Sequence, residues 1–272
     1  MRLGLSSYTF TWAVGVPNKI PDRPLNLGGL LQKCSDYGIN CLQVADNITL
    51  ETLDKNSLSR IKHIADDKKV SIEVGMRGLT LERGIKYLEL AEYLESPILR
   101  AVFDAPGFKP DVKEIINVIK QLLPILEERK IKLAIENHDR FEAEIFADII
   151  ESVGNTWVGI CLDSVNSLGA GEGIATVVET LAPYTINLHI KDFTIKRQPH
   201  MMGFLVEGTP AGLGMLPIEW LMEKLISFGQ CESAILELWT PPEANIEDTI
   251  KKEDEWAEIS LQYLRNLKIF KK

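Results

Sequence analysis

Short apolar runs alternate with longer amphipathic segments along the whole chain. This alternation predicts strands separated by helices, because buried strands are short and surface helices repeat their apolar residues on one face. The predicted strands are Leu3–Ser7, Cys41–Ala45, Val70–Val74, Ile98–Phe103, Ile131–Glu136, Val158–Asp163, Thr185–Ile190 and Ala234–Leu238.

A helix-like segment follows each predicted strand. The clearest are Leu25–Tyr37, Leu50–Asp67, Leu81–Leu94, Val112–Arg129, Ala143–Val153, Ile174–Leu181, Pro217–Phe228 and Ile246–Leu267. Apolar strands that alternate with helices predict an α/β fold with a parallel sheet, and eight such units in about 250 residues have the size of a single (β/α)8 TIM barrel. No Gly/Ser-rich linker interrupts the series, so we predict one barrel domain over residues 1–272.

The segment after the first predicted strand distinguishes a barrel from an open, doubly wound sheet. A doubly wound sheet that binds dinucleotides carries a Gly-rich phosphate loop at this place. Here the strand leads into the aromatic sequence Tyr8-Thr9-Phe10-Thr11-Trp12. The sequence therefore favours the barrel.

The composition is that of a chain with a sizeable core and no membrane span. Of the 272 residues, 45% are hydrophobic and 25% are charged, as in ordinary soluble globular proteins. No apolar run approaches the ~20 residues that cross a bilayer, and the first residues lack the long apolar stretch of a secretory signal. We therefore expect a cytoplasmic protein that does not contact a membrane.

Charge and cysteine spacing argue against two further classes of site. The net charge is −9 and the basic residues are scattered, whereas nucleic-acid binding is driven by basic patches that neutralise phosphates. We therefore expect no nucleic-acid partner. The cysteines at 34, 41, 161 and 231 show no CxxC spacing, and we predict buried free thiols rather than disulfides or metal ligands.

The functional side chains of a TIM barrel lie at the C-terminal ends of its strands. The first four predicted strands end near Tyr8, Asp46, Arg77 and Asp104. The last four end in ionisable residues after almost wholly apolar runs, namely Glu136, Asp163, His189 and Glu237. A charge in such a place is costly to bury unless it is paired or bound to a metal. Adjacent strands bring these four side chains around one point.

Three carboxylates and one imidazole predict a divalent-metal site. Any one of them alone is more readily explained as a solvated strand end, and salt bridges can absorb some of the charge. Four in consecutive strands favour a shared cation, because negative charge is in excess. The mainly oxygen ligand set suits Mn²⁺, Mg²⁺ or Co²⁺. Zn²⁺ is compatible, although catalytic zinc sites more often have two or more nitrogen or sulfur ligands.

Several motifs resemble the xylose isomerase-like barrel family of sugar phosphate isomerases and epimerases. They are Ile135-Glu136-Asn137-His138, Leu162-Asp163-Ser164-Val165-Asn166, His189-Ile190-Lys191-Asp192 and Glu237 after the eighth strand. The resemblance covers the whole chain. It implies one divalent metal ion held by Glu136, Asp163, His189 and Glu237.

The segment from Glu136 to Glu142 resembles the ketose 3-epimerase branch of that family. In that branch Arg-Phe-Glu follows the metal glutamate, and its glutamate contacts the substrate, which implies a substrate-binding role for Glu142. The alternative is an acid at a helix N-terminus, where the helix dipole favours it. The chain departs from the branch at Asn166, where the epimerases usually have histidine. An asparagine can bind a sugar oxygen, but it cannot carry a proton.

Four further residues are candidate substrate ligands. His138 either binds substrate or orients Glu136 from behind, and the alternative is a merely structural histidine. Lys191 either contacts substrate or forms a salt bridge at its strand end. Arg197 and His200 lie in a predicted long loop, Lys191–Gly214, that can fold over the pocket, and the alternative for each is a solvated loop residue.

The chemistry that the resemblance implies is proton transfer next to a carbonyl group of a sugar, sugar phosphate or keto-polyol. Glu136 and Glu237 would remove and return the proton as general base and acid, while a bound cation stabilises the enolate charge. Return to the same carbon gives an epimerase, and return to the neighbouring carbon gives an isomerase. A lyase of the 3-dehydroshikimate dehydratase type and a non-catalytic metal-dependent sugar-binding barrel are the alternatives. Assembly into a homo-oligomer is left open.

Overall fold

The computed structural model describes residues 1–271 and contains a closed barrel of eight parallel strands. The barrel strands are β1 Arg2–Ser6, β2 Cys41–Val44, β3 Ser71–Arg77, β4 Ile98–Val102, β5 Lys132–Glu136, β6 Val158–Asp163, β7 Thr185–Ile190 and β10 Ser233–Leu236. They follow one another around the barrel in chain order, and β10 closes it by pairing with β1. The prediction of a single (β/α)8 TIM barrel is confirmed.

Helices surround the barrel, and all of those described except the short first one lie at bounds close to those predicted from the sequence. They are α1 Thr11–Val14, α2 Leu27–Asp36, α3 Lys55–Lys68, α4 Leu81–Tyr93, α5 Val112–Arg129, α6 Ala143–Val153, α7 Ile174–Leu181, α8 Ile218–Phe228 and α9 Ile246–Asn266. The predicted helix from Leu50 is wrong in its first turn. Leu50–Thr52 is a separate 3-10 turn, and α3 begins later because the Asp54 side chain accepts a hydrogen bond from the N–H of Ser57. Within residues 1–271, no helix is long and apolar enough to cross a membrane.

The apolar core lies between the barrel and its helices. In α5 the buried residues Ile115, Ile119, Leu122 and Leu126 recur at the spacing of one helix face. A capping box fixes the start of this helix, because the side chains of Asp111 and Glu114 each accept the other's backbone N–H. All four cysteines are buried and free, as predicted.

The inside of the barrel, by contrast, is crossed by a polar network. Gln43, Glu73 and Asn187 are completely buried there. The Gln43 amide donates to Glu73 Oε2 and to Asn187 Oδ1, both at 3.0 Å. Arg2 reaches the other oxygen of Glu73 at 3.3 Å. Each buried polar group of this trio therefore has a partner, and the network holds Gln43 in one orientation.

The segment Lys191–Gly214 contains a hairpin, so its prediction as a loop is wrong. Strands β8 Phe193–Arg197 and β9 Phe204–Gly208 pair antiparallel. The apolar–polar alternation from Phe193 to Lys196 is a strand signal that the loop prediction overlooked. The base of the hairpin is fixed to the barrel. A Cβ at Gly208 would lie 2.1 Å from the carbonyl oxygen of Trp239, so only glycine allows this approach.

Candidate metal centre and active-site cavity

A cavity of about 430 Å³ lies at the C-terminal ends of the barrel strands. Aromatic side chains and charged side chains share its wall. The charged ones come from both halves of the barrel, and the aromatic ones follow the first and last strands. The wall includes Tyr8, Trp12, Trp239, Arg77, Arg100, Glu136, Lys191 and Glu237.

The structure brings the four predicted metal ligands together. His189 Nδ1 lies 3.5 Å from Glu136 Oε2, 3.7 Å from Asp163 Oδ2 and 3.5 Å from Glu237 Oε1. All four side chains are buried. Strand register explains part of this convergence, because Asp163 and His189 are direct neighbours on β6 and β7.

The orientation of the His189 ring is fixed from behind by Gln43. Gln43 Oε1 lies 2.6 Å from His189 Nε2, and it faces the ring because the amide nitrogen is occupied by Glu73 and Asn187. A carbonyl oxygen only accepts, so Nε2 carries the proton and Nδ1 points at the carboxylates.

One buried atom at this point, His189 Nδ1, has no hydrogen-bond partner among the described residues. Burial lowers the pKa of His189, but Cys161, Glu237 and Glu136 outweigh it and raise that pKa well above its usual value. The site therefore favours a positive charge at this point. Three carboxylate oxygens that converge on one unpartnered ring nitrogen fit a divalent cation.

Both catalytic candidates are held by hydrogen-bond donors. Glu136 Oε1 accepts from the Asn166 amide at 2.9 Å, and Glu136 Oε2 accepts from Arg100 Nε. Glu237 Oε1 accepts from the Ser6 hydroxyl at 2.9 Å. Glu136 is therefore anchored through both of its oxygens, and Glu237 through at least one.

Lys191 supplies a second buried cation to the cluster. Its Nζ lies 2.7 Å from Asp163 Oδ2 and 2.9 Å from Glu237 Oε2. Burial would raise the pKa of Asp163, but Lys191 and His189 hold it well below its usual value. Lys191 and Arg100 thus balance part of the negative charge of the cluster. The prediction of a cation from the sequence did not include these two positive groups.

The opposite wall is built around Asp46. Its Oδ1 accepts from Arg100 Nη1 at 2.9 Å, and its Oδ2 accepts from Arg77 Nε at 2.9 Å and from the Tyr8 hydroxyl at 3.2 Å. Burial would raise the pKa of Asp46, but the two guanidinium groups lower it to about 2. A Cβ at Gly75 would lie 2.9 Å from the carbonyl oxygen of Val44 and 3.3 Å from Arg100 Cδ, so glycine allows β3 to pack closely here.

Sequence reasoning missed Arg100 and gave Arg77 no role. Arg100 is 2% exposed in the middle of β4. A single arginine within the apolar run Ile98–Phe103 is a signal, since an arginine is almost never fully buried unless it is paired. Its partners are Asp46, which lies two residues after the end of β2, and Glu136, the last residue of β5.

The remaining predicted substrate ligands are divided between the cavity and the surface. His138, Asn166 and Lys191 line the cavity. Glu142 is exposed immediately before α6. Arg197 and His200 are in the hairpin segment, where Arg197 donates to Met201 O and His200 accepts from Met202 N. The predicted substrate contacts of Glu142, Arg197 and His200 stay predictions without a position in the cavity wall.

Two sequence comparisons bear on this chain. A family model described as xylose isomerase-like TIM barrel matches residues 31–267. The chain is also 31% identical, over 264 residues, to 3-oxo-isoapionate decarboxylase of Pectobacterium atrosepticum. That alignment covers 97% of this chain and 95% of the relative.

Solved structures with the same fold include proteins with different ligands. D-psicose 3-epimerase from Clostridium cellulolyticum H10, solved with D-tagatose, has a TM-score of 0.74 at 15% identity, covering 98% of this chain and 99% of that one. A xylose isomerase-like barrel from Mycobacterium smegmatis, in complex with magnesium, has a TM-score of 0.69 at 15% identity, covering 97% of each chain. At this identity the likeness shows the fold.

Proposed function

The chain belongs to the xylose isomerase-like TIM barrel family, and from this we propose that it is a metal-dependent enzyme acting on a small hydroxylated oxo compound through an enolate. The first candidate reaction is the decarboxylation of a 3-oxo sugar acid. It is suggested by the relative of 31% identity, whose alignment covers nearly the whole of both chains.

The observation that carries the proposal is the environment of His189 Nδ1. This atom has no hydrogen-bond partner among residues 1–271, and one oxygen from each of Glu136, Asp163 and Glu237 lies within 3.7 Å of it. These four residues would hold the metal ion. When bound, a divalent cation supplies positive charge that stabilises the negative charge developing on a substrate oxygen.

Decarboxylation of a 3-oxo acid breaks the bond between the carboxylate carbon and its neighbour. The electron pair of that bond passes into the enolate of the adjacent oxo group, and carbon dioxide leaves. A proton is then added to the carbon that carried the carboxylate. Lys191 offers an ammonium donor in the cavity wall for this last step.

Decarboxylation makes a smaller demand on the two glutamates than proton abstraction does. Glu136 is engaged through both oxygens, by Asn166 and Arg100, and Glu237 is engaged by Ser6 and Lys191. A general base needs a free lone pair within reach of a carbon-bound proton. Decarboxylation needs no such base, because the leaving group is carbon dioxide.

The second candidate is the isomerase or epimerase reaction expected from the sequence. Its support is the placement of Glu136 and Glu237 on two sides of His189, at the same distance of 3.5 Å from Nδ1. Such a pair could serve the two faces of a substrate. The 3-epimerase with the same fold was solved with a ketose, so a neutral ketose is the candidate substrate of this second reaction.

One assay separates the two reactions. Protein stripped of metal and then reloaded with Mn²⁺, Mg²⁺, Co²⁺ or Zn²⁺ would be given 3-oxo-isoapionate generated in place, or a ketose such as D-psicose or D-tagatose, in deuterated water. We expect metal-dependent release of carbon dioxide from the oxo acid, with one deuterium at the new C–H bond. Deuterium exchange and inversion of the ketose without carbon dioxide release would support the epimerase instead. Full activity in metal-free protein would contradict both.

A further inference from the structure

We propose that Arg77 binds a carboxylate group of the substrate, so that the cavity selects hydroxylated oxo acids over neutral sugars. This inference rests on the proposed function and names its substrate class. Arg77 lies in the part of the cavity wall that the metal ligands do not occupy.

The guanidinium of Arg77 is held on one side and free on the other. Nε donates to Asp46 Oδ2 at 2.9 Å, and Nη2 lies 3.4 Å from His138 Nε2. Nη1 has no hydrogen-bond partner within residues 1–271, and the side chain is 29% exposed where it lines the cavity. An arginine whose orientation is already fixed loses little freedom on binding a carboxylate, which matches its planar array of donors.

His138 adds to this orientation from one side of the guanidinium. Its Nδ1 lies against Asp139, so Nδ1 carries the proton and Nε2 presents a lone pair to the Arg77 guanidinium. The contact leaves the guanidinium edge nearest the cavity available.

The charges of the cavity leave room for one anion. When His189 is a neutral metal ligand, four carboxylates, Asp46, Glu136, Asp163 and Glu237, face the positive groups Arg77, Arg100 and Lys191. A bound divalent cation would turn this excess of one negative charge into an excess of one positive charge. A neutral ketose would leave that charge unbalanced, whereas a monocarboxylate would balance it.

The connection between the two walls indicates a compact substrate. One guanidinium, that of Arg100, bonds Asp46 through Nη1 and Glu136 through Nε. Arg77 is therefore linked to the cation cluster through Asp46 and Arg100, and Arg77, Glu136 and Glu237 line the same cavity. A short oxo acid can reach both, with its carboxylate at Arg77 and its oxo group at the cluster.

The test compares two unreactive ligands that differ in the carboxylate, L-threonate and threitol. Their binding to Mn²⁺-loaded protein would be measured by calorimetry. We expect the wild type to prefer threonate, and Arg77→Gln to lose about 10- to 100-fold in threonate affinity, the range for a hydrogen bond to a charged group. Threitol and Mn²⁺ affinities should stay unchanged. Arg60→Gln, a change of an exposed arginine on α3, is the matched control and should behave as wild type.

Two further arms make the result decisive. Arg77→Lys keeps the charge beside Asp46, so it should fold as wild type and show an intermediate preference for threonate even if Arg77→Gln is unstable. With a substrate that turns over, Arg77→Gln should raise KM more than it lowers kcat, because the carboxylate contact is lost as carbon dioxide forms.

The inference is overturned if the wild type shows no preference for threonate. It is also overturned if Arg77→Gln keeps the full preference, since the carboxylate would then bind the cation cluster. An Arg77-dependent preference without any carbon dioxide release would leave the carboxylate site standing and reject the proposed reaction.

Discussion

The two halves of the barrel bring different chemistry to the same cavity. Strands β5, β6 and β7 and the end of β10 supply three acids and a histidine that converge within 3.7 Å. Strands β3 and β4 supply two arginines joined by Asp46. The halves meet at the buried ion pair between Arg100 and Glu136. One half is therefore suited to hold a cation and the other to bind an anion. Lys191 reduces the negative charge of the acidic half by pairing with Asp163 and Glu237.

The largest expected effect comes from breaking the acidic half at its centre. His189→Ala should abolish the rise in thermal stability on adding Mn²⁺, because the ring nitrogen that completes the cluster is gone. Turnover should fall by at least about 10³-fold, since a catalytic cation contributes several kcal/mol. Thermal melts with and without Mn²⁺ measure the first effect. His63→Ala, a change of an exposed histidine on α3, is the control, and an unaltered Mn²⁺ response in His189→Ala would remove His189 from the site.

The next effect comes from cutting the link between the halves. Arg100→Met leaves Glu136 and Asp46 buried without their shared partner, so the free energy of unfolding should fall by about 3–5 kcal/mol. Urea denaturation measures it. Mn²⁺ should recover part of the loss, because a cation at Glu136 replaces one of the missing charges. A loss as small as that of Arg129→Met, which breaks a pair with the exposed side chain of Glu92, would contradict a bridging role.

A third test concerns the contact between α9 and the segment that follows β1. Glu253 on α9 accepts the N–H groups of Trp12 and Ala13 at 2.8 and 2.9 Å. Burial raises the pKa of Glu253 from 4.5 to about 7. Because this folded pKa lies above the unfolded one, its contribution to stability is complete below about pH 4.5 and is lost as pH rises through about 7.

Glu253→Gln removes that titration. The stability of the wild type relative to the variant should therefore decline from pH 4.5 to pH 8, by at most about 3 kcal/mol. Urea denaturation at several pH values measures the decline, with Glu255→Gln, an exposed position on the same helix, as control. A difference that does not change with pH would place the pKa of Glu253 near its ordinary value.

The smallest predicted effect concerns a contact between a residue on β2 and a predicted metal ligand on β7. Gln43 on β2 fixes the His189 ring through Nε2. Gln43→Leu removes this acceptor and should weaken Mn²⁺ binding by about 10- to 100-fold, as for other residues that orient a metal ligand. Calorimetry measures the affinity, and Gln121→Leu on the outside of α5 is the control. Unchanged affinity would mean that the carboxylates alone orient the ring.

The fold and the acidic half of the site could be read from the sequence because both depend on local patterns. Apolar runs marked the strands, and an ionisable residue directly after such a run marked Glu136, Asp163, His189 and Glu237. In a parallel barrel these strand ends meet, so their positions along the chain were enough to predict convergence.

The cationic half could not be read in the same way. Arg100 lies inside its strand, and whether it points into the barrel depends on the barrel's closure. Arg77 pairs with Asp46, a residue of another strand end, and only tertiary structure shows that Asp46 is shared between two guanidiniums. The spacing of residues along the sequence does not show that one carboxylate accepts hydrogen bonds from two arginines.

The anchoring of the β8–β9 hairpin has a consequence for how this barrel can diversify. The Asp192 side chain, just after β7, accepts hydrogen bonds from the N–H groups of Phe193, Gly212, Gly214 and Leu216. These bonds attach the base of the hairpin to the barrel. The turn between β8 and β9 takes no part in that attachment. It is therefore a place where residues can be exchanged or inserted by recombination, in nature or in the laboratory, while the C-terminal strand ends of the barrel keep their architecture.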